Sequence, residues 1–213
     1  MLTKKIEELK KSKISKLIAG RIKEFKTKKS SEEIFSELCF CLMTANFNAE
    51  RSIKIQEQIG AKGFLNLPEQ KLATKLKELG HRFPNTRAKY IVEARGHIGE
   101  IVKQVGQGQH QLRVDHLQNI RAWLVKNVKG LGLKESSHFL RNIGFDDFAI
   151  IDFHIVDLLV KEKLVSKIKS GALTKMKYLE IEQILLGIGK KVNLNLAELD
   201  LYLWYLETGK ILK

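Results

Sequence analysis

Residues 129–154 read KGLGLKESSHFLRNIGFDDFAIIDFH, and the prediction of the fold depends most on these residues. Two helical patterns meet at its start, where Gly130 and Gly132 can take positive φ angles that a side chain would resist. In such a tight hairpin, backbone N–H groups and the first amides of the following helix can approach a phosphate, aided by the helix dipole. An isolated GLG also fits an ordinary helix–helix turn, so the interpretation depends on two charged residues that follow it.

The first charged residue is Lys134, where the second helix begins, and the other is Asp152, 18 residues later. Near other positive charges and the positive end of a helix, a lysine can be partly neutral and nucleophilic if it is also desolvated. A stretch of about two helical turns and a loop is long enough to bring Asp152 back beside Lys134. The simpler alternatives are a phosphate-contacting or solvated lysine and, for Asp152, a helix N-cap, which is compatible with catalysis.

The charge of the chain favours a polyanionic partner. Lysine and arginine outnumber aspartate and glutamate by 38 to 24, a formal net charge of +14. Residues 1–29 alone carry eleven basic and three acidic side chains. Nucleic acid is the first candidate for such a surface, although a solvated lysine-rich helix face has the same composition.

The two cysteines and the N-terminus point to an intracellular protein. Cys39 and Cys41 lie two residues apart, so a helix directs them to different faces, and no third cysteine exists to complete a zinc site or an iron–sulfur cluster. We therefore expect buried, reduced thiols. The N-terminus is too charged for a secretory signal and no apolar run approaches the length of a membrane span, so we expect a soluble protein without a membrane partner.

Hydrophobic residues recur at helical spacing, and no long strict alternation indicates a sheet. The spacing is clearest at Ile14, Leu17, Ile18, Ile22 and Phe25. We predict an all-α fold without internal repeats. The predicted helices cover about residues 68–80, 84–105, 113–128, 133–144, 152–165, 174–186 and 193–207, with a loop at residues 106–111.

The motifs VKGLGLK at residues 128–134 and IDFH at residues 151–154 resemble, in type, order and spacing, the signature of the helix-hairpin-helix base-excision DNA glycosylases. The ending LDLYLWYLETGKILK is most similar to that of the short archaeal and thermophilic 8-oxoguanine DNA glycosylase/AP lyases. The chain lacks the C-terminal four-cysteine cluster of endonuclease III. We also expect no N-terminal β domain like that of the eukaryotic 8-oxoguanine enzymes, because the sequence leaves no room for it before the helical body.

The resemblance implies two helical lobes with the active-site cleft between them. Residues 30–145 form a helical barrel lobe that contains the helix-hairpin-helix at about residues 117–142, and residues 1–29 with 146–213 form the second lobe. It also implies a monomer inside the cell, in the cytoplasm or nucleoid, that acts on double-stranded DNA containing 8-oxoguanine opposite cytosine.

The resemblance further implies a reaction for the two charged residues. Lys134 attacks C1′ of an extruded nucleotide, displaces the damaged base and forms an imine that allows elimination of the 3′ phosphate. Asp152 stabilises the positive charge that develops on the sugar and helps to move the proton that the lysine releases. This chemistry needs no metal and no cofactor.

The remaining site residues also come from the resemblance. Gly130 and Gly132 contact the DNA backbone, and His154 steadies the adjacent backbone or a phosphate. Asn46 fills the space left by the extruded base and hydrogen-bonds the widowed cytosine, with Arg51 assisting. The alternative for Asn46 is a helix cap ahead of residues 49–60.

Three residues are expected to recognise the base. The C-terminal Lys213 takes part in distinguishing 8-oxoguanine from guanine, and Trp204 offers a stacking face. His138, one turn after Lys134, faces either the same pocket or solvent. The alternative for Trp204 is packing in the core.

Two other functions stay open at this point. Within the same fold, the chain could be a glycosylase for another oxidised base, such as an oxidised pyrimidine. From a different class, it could be a non-enzymatic helix-hairpin-helix module that grips phosphates without chemistry.

Overall fold

The structure is a computed structural model that describes residues 1–106, 114–167 and 173–213. The predicted loop at residues 106–111 lies outside these ranges except for Gly106, as does the predicted first residue of the helix at 113–128. The regular secondary structure of the described residues is entirely helical, which confirms the all-α prediction. None of their helices is long and apolar enough to cross a bilayer.

The helices are α1 (Leu2–Lys10), α2 (Ile14–Lys26), α3 (Ser31–Thr44), α4 (Ala49–Asn66), α5 (Glu69–Glu78), α6 (Pro84–Ala94), α7 (Ile98–Gly106), α8 (Val114–Asn127), α9 (Leu133–Asn142), α10 (Phe153–Lys161), α11 (Lys175–Lys191) and α12 (Leu196–Thr208). The predicted helix at 84–105 is interrupted by a 3-10 turn, Arg95–His97. Gly96 lies within that turn. The guanidinium of Arg95 donates hydrogen bonds to the carbonyl oxygens of Phe64 and Leu67 at 2.8 and 2.7 Å.

The chain divides into two compact units. The continuous unit is Lys28–Ile143, and the discontinuous unit combines Met1–Thr27 with Gly144–Lys213. These boundaries fall two residues before those expected for the two lobes.

The continuous unit is organised around α3, which packs against α4, α6 and α9. Its start is fixed by a capping box, in which the Ser30 hydroxyl accepts from the Glu33 amide and the Glu33 carboxylate accepts from the Ser30 amide. Cys39 and Cys41 are fully buried on this helix, as expected. Burial raises the pKa of the Cys39 thiol well above its usual value, which disfavours the reactive thiolate.

The discontinuous unit packs α2, α10 and α11 against α12. Four of the five apolar positions noted in α2 are buried, whereas Leu17 is exposed. A second capping box, between Asn195 and Glu198, begins α12. The predicted helix at 152–165 ends earlier, at Lys161, and the one at 174–186 continues to Lys191.

Candidate active site

The glycine hairpin joins α8 to α9 in the continuous unit. Gly130 has φ +93°, and a Cβ atom there would lie 2.4 Å from Cδ2 of Tyr90. This position therefore requires glycine for both conformation and space. Gly132 has φ −93° and ψ −170°, an extended conformation, so the expected positive φ is confirmed at Gly130 and wrong at Gly132.

Gly132 serves instead as the N-cap of α9. Its N–H donates to Oε2 of Glu135 at 3.2 Å. Because Gly132 has no side chain, it cannot return a hydrogen bond to the first turn, where the amides of Leu133, Lys134 and Glu135 have no intrahelical acceptors. The start of α9 thus keeps N–H groups that a ligand can use, at the positive end of the helix dipole.

Lys134 is the second residue of α9, and 22% of its side chain is exposed. Its Nζ lies 3.7 Å from Oε1 of Glu135. One turn later, His138 is buried, with its ring edge-to-face against Phe40 of α3 at 5.3 Å between centroids. The possibility that His138 faces solvent was therefore wrong, because its side chain lies in the core of the continuous unit.

Asp152 lies in the discontinuous unit and is the N-cap of α10. Its Oδ1 accepts from the Ile155 amide at 3.0 Å, which confirms the capping interpretation. Within the described ranges, this is the hydrogen bond that the Asp152 carboxylate makes, so Oδ2 is available for another role. Lys134 and Asp152 belong to different units, and their pairing stays a prediction.

His154 lies in the first turn of α10 between two aromatic rings. Its ring centroid is 3.9 Å from that of Phe153 and 5.0 Å from that of Trp204, and the second contact is edge-to-face at 88°. Phe153 is 68% exposed. Trp204 is half-buried, and its Nε1 has no hydrogen-bond acceptor in the described part of the chain. Lys213, the last residue of the same unit, is also half-buried.

Asn46 lies in the turn between α3 and α4. It is exposed and adopts φ +57°, a left-handed conformation that asparagine tolerates. The alternative that Asn46 caps the next helix was wrong, because Asn48 is the cap and its Oδ1 accepts from the Arg51 amide at 3.0 Å. The exposed Arg51 guanidinium lies 5.8 Å from the ring centroid of Phe47.

His81, which belongs to no recognisable sequence motif, holds this turn in place. Its Nδ1 accepts from the Phe83 amide at 3.0 Å, so Nε2 is assigned the hydrogen that is donated to the Met43 carbonyl at 3.1 Å. The ring also packs against Phe47, 4.2 Å between centroids. Burial lowers the pKa of His81, which favours the neutral ring that these two hydrogen bonds require.

Comparison with known proteins gives consistent matches along the whole chain. Residues 18–194 match the family described as 8-oxoguanine DNA glycosylase. Relatives named 8-oxoguanine DNA glycosylase/AP lyase include one from Methanocaldococcus jannaschii, 54% identical over 100% of both chains, and one from Korarchaeum cryptofilum, 50% identical over 100% of this chain and 98% of that one. The crystal structure of the M. jannaschii 8-oxoguanine glycosylase/lyase in complex with 15mer DNA containing 8-oxoguanine matches with a TM-score of 0.91 at 52% identity, covering 100% of both chains.

Proposed function

Because the chain belongs to the 8-oxoguanine DNA glycosylase family, we propose that it excises 8-oxoguanine from duplex DNA and then cleaves the strand 3′ to the abasic site. The observation that carries this proposal is the match over 100% of both chains to the M. jannaschii relative. The glycine hairpin, the partly buried lysine after it and the net charge of +14 support the same function.

The proposed nucleophile is Nζ of Lys134. Its lone pair forms a bond to C1′ of the extruded nucleotide as the glycosidic bond breaks, and the damaged base leaves with the bonding electrons. Loss of a proton from nitrogen and opening of the sugar ring give an imine at C1′. Removal of a proton from C2′ then expels the 3′ phosphate by β-elimination. The position of Lys134 supports this role, because its side chain is only partly exposed and directly follows the hairpin that is proposed to hold the DNA backbone.

Asp152 is the proposed electrostatic partner. Since Oδ1 holds the start of α10, Oδ2 can stabilise positive charge on the sugar and accept the proton that the lysine releases. The cap fixes the carboxylate before substrate arrives, so little reorganisation is needed in the transition state.

The DNA contacts are proposed for both units. In the continuous unit, the hairpin and the start of α9 hold the DNA backbone, while Asn46 enters the duplex opposite a cytosine with Arg51 beside it. In the discontinuous unit, His154 contacts a phosphate or the adjacent backbone. The proposed enzyme acts as a monomer on the DNA of the nucleoid.

Base recognition is assigned to Trp204, Lys213 and His138. The half-buried Trp204 offers a ring face for stacking, whereas its Nε1 atom is buried. Lys213 contributes to the choice of 8-oxoguanine over guanine. His138 is the least accessible of the three, so its contact with a base requires a pocket that reaches as deep as Phe40.

The test of this function uses four duplex oligonucleotides with one 8-oxoguanine opposite each of the four bases. We expect release of the damaged base and a nick 3′ to its position, with no cutting of the duplex that carries guanine instead. Binding without release of any base would identify a non-enzymatic module, and cutting at an oxidised pyrimidine but not at 8-oxoguanine would identify a glycosylase for another lesion.

The hairpin gives a prediction on binding. Gly130→Ala places a Cβ atom against Tyr90 in a left-handed conformation, which costs on the order of 1–3 kcal/mol in the folded state. We therefore expect a lower melting temperature and weaker binding to lesion and undamaged duplex alike, measured by fluorescence anisotropy.

The matched control is Gly132→Ala. Its φ suits alanine, and the added Cβ meets the flexible carboxylate end of Glu135 at 3.1 Å. We expect this variant to bind more tightly than Gly130→Ala. Binding by Gly130→Ala as tight as that of the wild type, or a loss limited to lesion DNA, would show that the hairpin does not contact the phosphates.

A further inference from the structure

The chain reaches Asp152 through a buried segment that has no regular secondary structure. Ala149 and Ile151 are each 2% exposed, so the N–H and C=O groups of this segment are removed from water. Such groups need partners, because an unpaired polar group in the interior is costly. Side chains of α11 supply several of those partners.

Tyr178 and Glu182 lie four residues apart on α11, on one face of the helix. The Tyr178 hydroxyl donates to the Ala149 carbonyl at 2.7 Å and accepts from the Ile151 amide at 3.4 Å. Oε1 of Glu182 accepts from the Ala149 amide at 3.2 Å. Two side chains therefore bind three backbone groups in the three residues that precede Asp152.

We propose that Tyr178 and Glu182 are positioning residues that set where the Asp152 carboxylate lies. This inference rests on the proposed function, since it assigns Asp152 to the reaction. Apolar packing alone would hold Phe148, Ile150 and Ile151, which are buried in any case, without fixing the rotation of the backbone. Hydrogen bonds to both the N–H and the C=O of Ala149 fix that rotation directly.

The burial of these side chains supports a role beyond packing. Tyr178 is 3% exposed and Glu182 is 4% exposed. A carboxylate in the interior is costly even when it is hydrogen-bonded, and an apolar side chain of similar volume often serves stability as well or better. Accurate placement is the gain that offsets this cost, because a shift of about 1 Å in a reacting group can lower a rate by about a hundredfold.

The experiment is a double-mutant cycle between Tyr178→Phe and Asp152→Asn. Tyr178→Phe removes one oxygen atom and keeps the ring. With enzyme in excess over 8-oxoguanine duplex, we expect its single-turnover excision rate to fall about tenfold or more with unchanged lesion binding. In the Asp152→Asn background the same change should have almost no effect, because the carboxylate that it positions is already absent.

Tyr202→Phe is the matched control, since Tyr202 is a buried tyrosine of the same unit that lies on α12. We expect it to excise at the wild-type rate. Glu182 gives an independent comparison: Glu182→Gln keeps an acceptor oxygen for the Ala149 amide, whereas Glu182→Ala does not. Excision should be retained in the first variant and slowed in the second, with the slowing again lost in the Asp152→Asn background.

The outcomes separate this inference from the function on which it rests. A wild-type protein that releases no 8-oxoguanine would overturn the proposed function itself. An active wild type with an equally active Tyr178→Phe variant would overturn only the positioning role. If Tyr178→Phe lowered the excision rate by the same factor in the wild-type and Asp152→Asn backgrounds, Tyr178 would contribute to general stability and not to the placement of Asp152. Melting temperatures of all variants would show whether lost stability is the cause.

Discussion

Lys134→Gln should abolish excision of 8-oxoguanine and the covalent trapping of the protein on lesion DNA by borohydride. Glutamine has no nucleophilic amine, so neither the displacement at C1′ nor the imine that borohydride reduces can form. We expect a fall in single-turnover rate by a factor on the order of 10³ or more. The variant should still bind lesion duplex, because the N–H groups of the hairpin and of the first turn of α9 are backbone groups that it retains.

Lys129→Gln is the matched control for this result. Lys129 is the lysine on the other side of the hairpin; its side chain is exposed and lies near Glu93 and the ring of Tyr90. Loss of its charge should weaken binding modestly and leave trapping in place. Trapping that persists in Lys134→Gln would assign the nucleophile to another amine.

The second large effect is expected at Asp152, where structural and catalytic roles can be separated. Asn caps a helix about as well as Asp, and the Asn Oδ1 atom can accept from the Ile155 amide as the carboxylate does. The variant Asp152→Asn should therefore fold with a melting temperature close to that of the wild type. It loses the negative charge that the developing sugar cation requires, so excision should slow on the order of a hundredfold or more.

The measurement compares single-turnover excision with melting temperature for Asp152→Asn and for a control, Asp157→Asn. Asp157 is an exposed residue of the same helix, so the control removes the same charge from α10 at a distance from the cap. We expect the control to match the wild type in both measurements. Excision by Asp152→Asn at the wild-type rate would reduce Asp152 to a cap and break its proposed pairing with Lys134.

Much of the fold could be predicted because its signals are local. Capping at Asp152 and the ends of helices at Gly80 and Gly144 follow from residue type and position, and the structure confirms them with a hydrogen bond at Asp152 and positive φ at both glycines. The prediction of a cap was wrong where two residues close together in the sequence are equally suited to that role. Asn46 and Asn48 can both cap a helix, and the structure selects the second.

The residues that position the candidate site could not be predicted in this way. His81 bonds a carbonyl 38 residues away, and Tyr178 and Glu182 bond backbone groups 27 to 33 residues away. Each looks like an ordinary helix or turn residue in the sequence, since such contacts depend on how distant segments pack and leave no periodic pattern. Lys134 could be recognised as a candidate only because a glycine hairpin precedes it and because Asp152, a helix N-cap, follows 18 residues later.

The discontinuous unit has a consequence for synthesis on the ribosome. The apolar stripe of α2 packs against α12, but the 116 residues of Lys28–Ile143 and those that follow up to Leu196 must be made before α12 begins. At typical translation speeds, those 116 residues alone take roughly 6 to 23 seconds. During this interval α12 has not yet been made and cannot cover the apolar stripe of α2, whereas the continuous unit has been synthesised in full. We expect the eleven basic side chains among residues 1–29 to repel other nascent copies during that wait and so to limit aggregation.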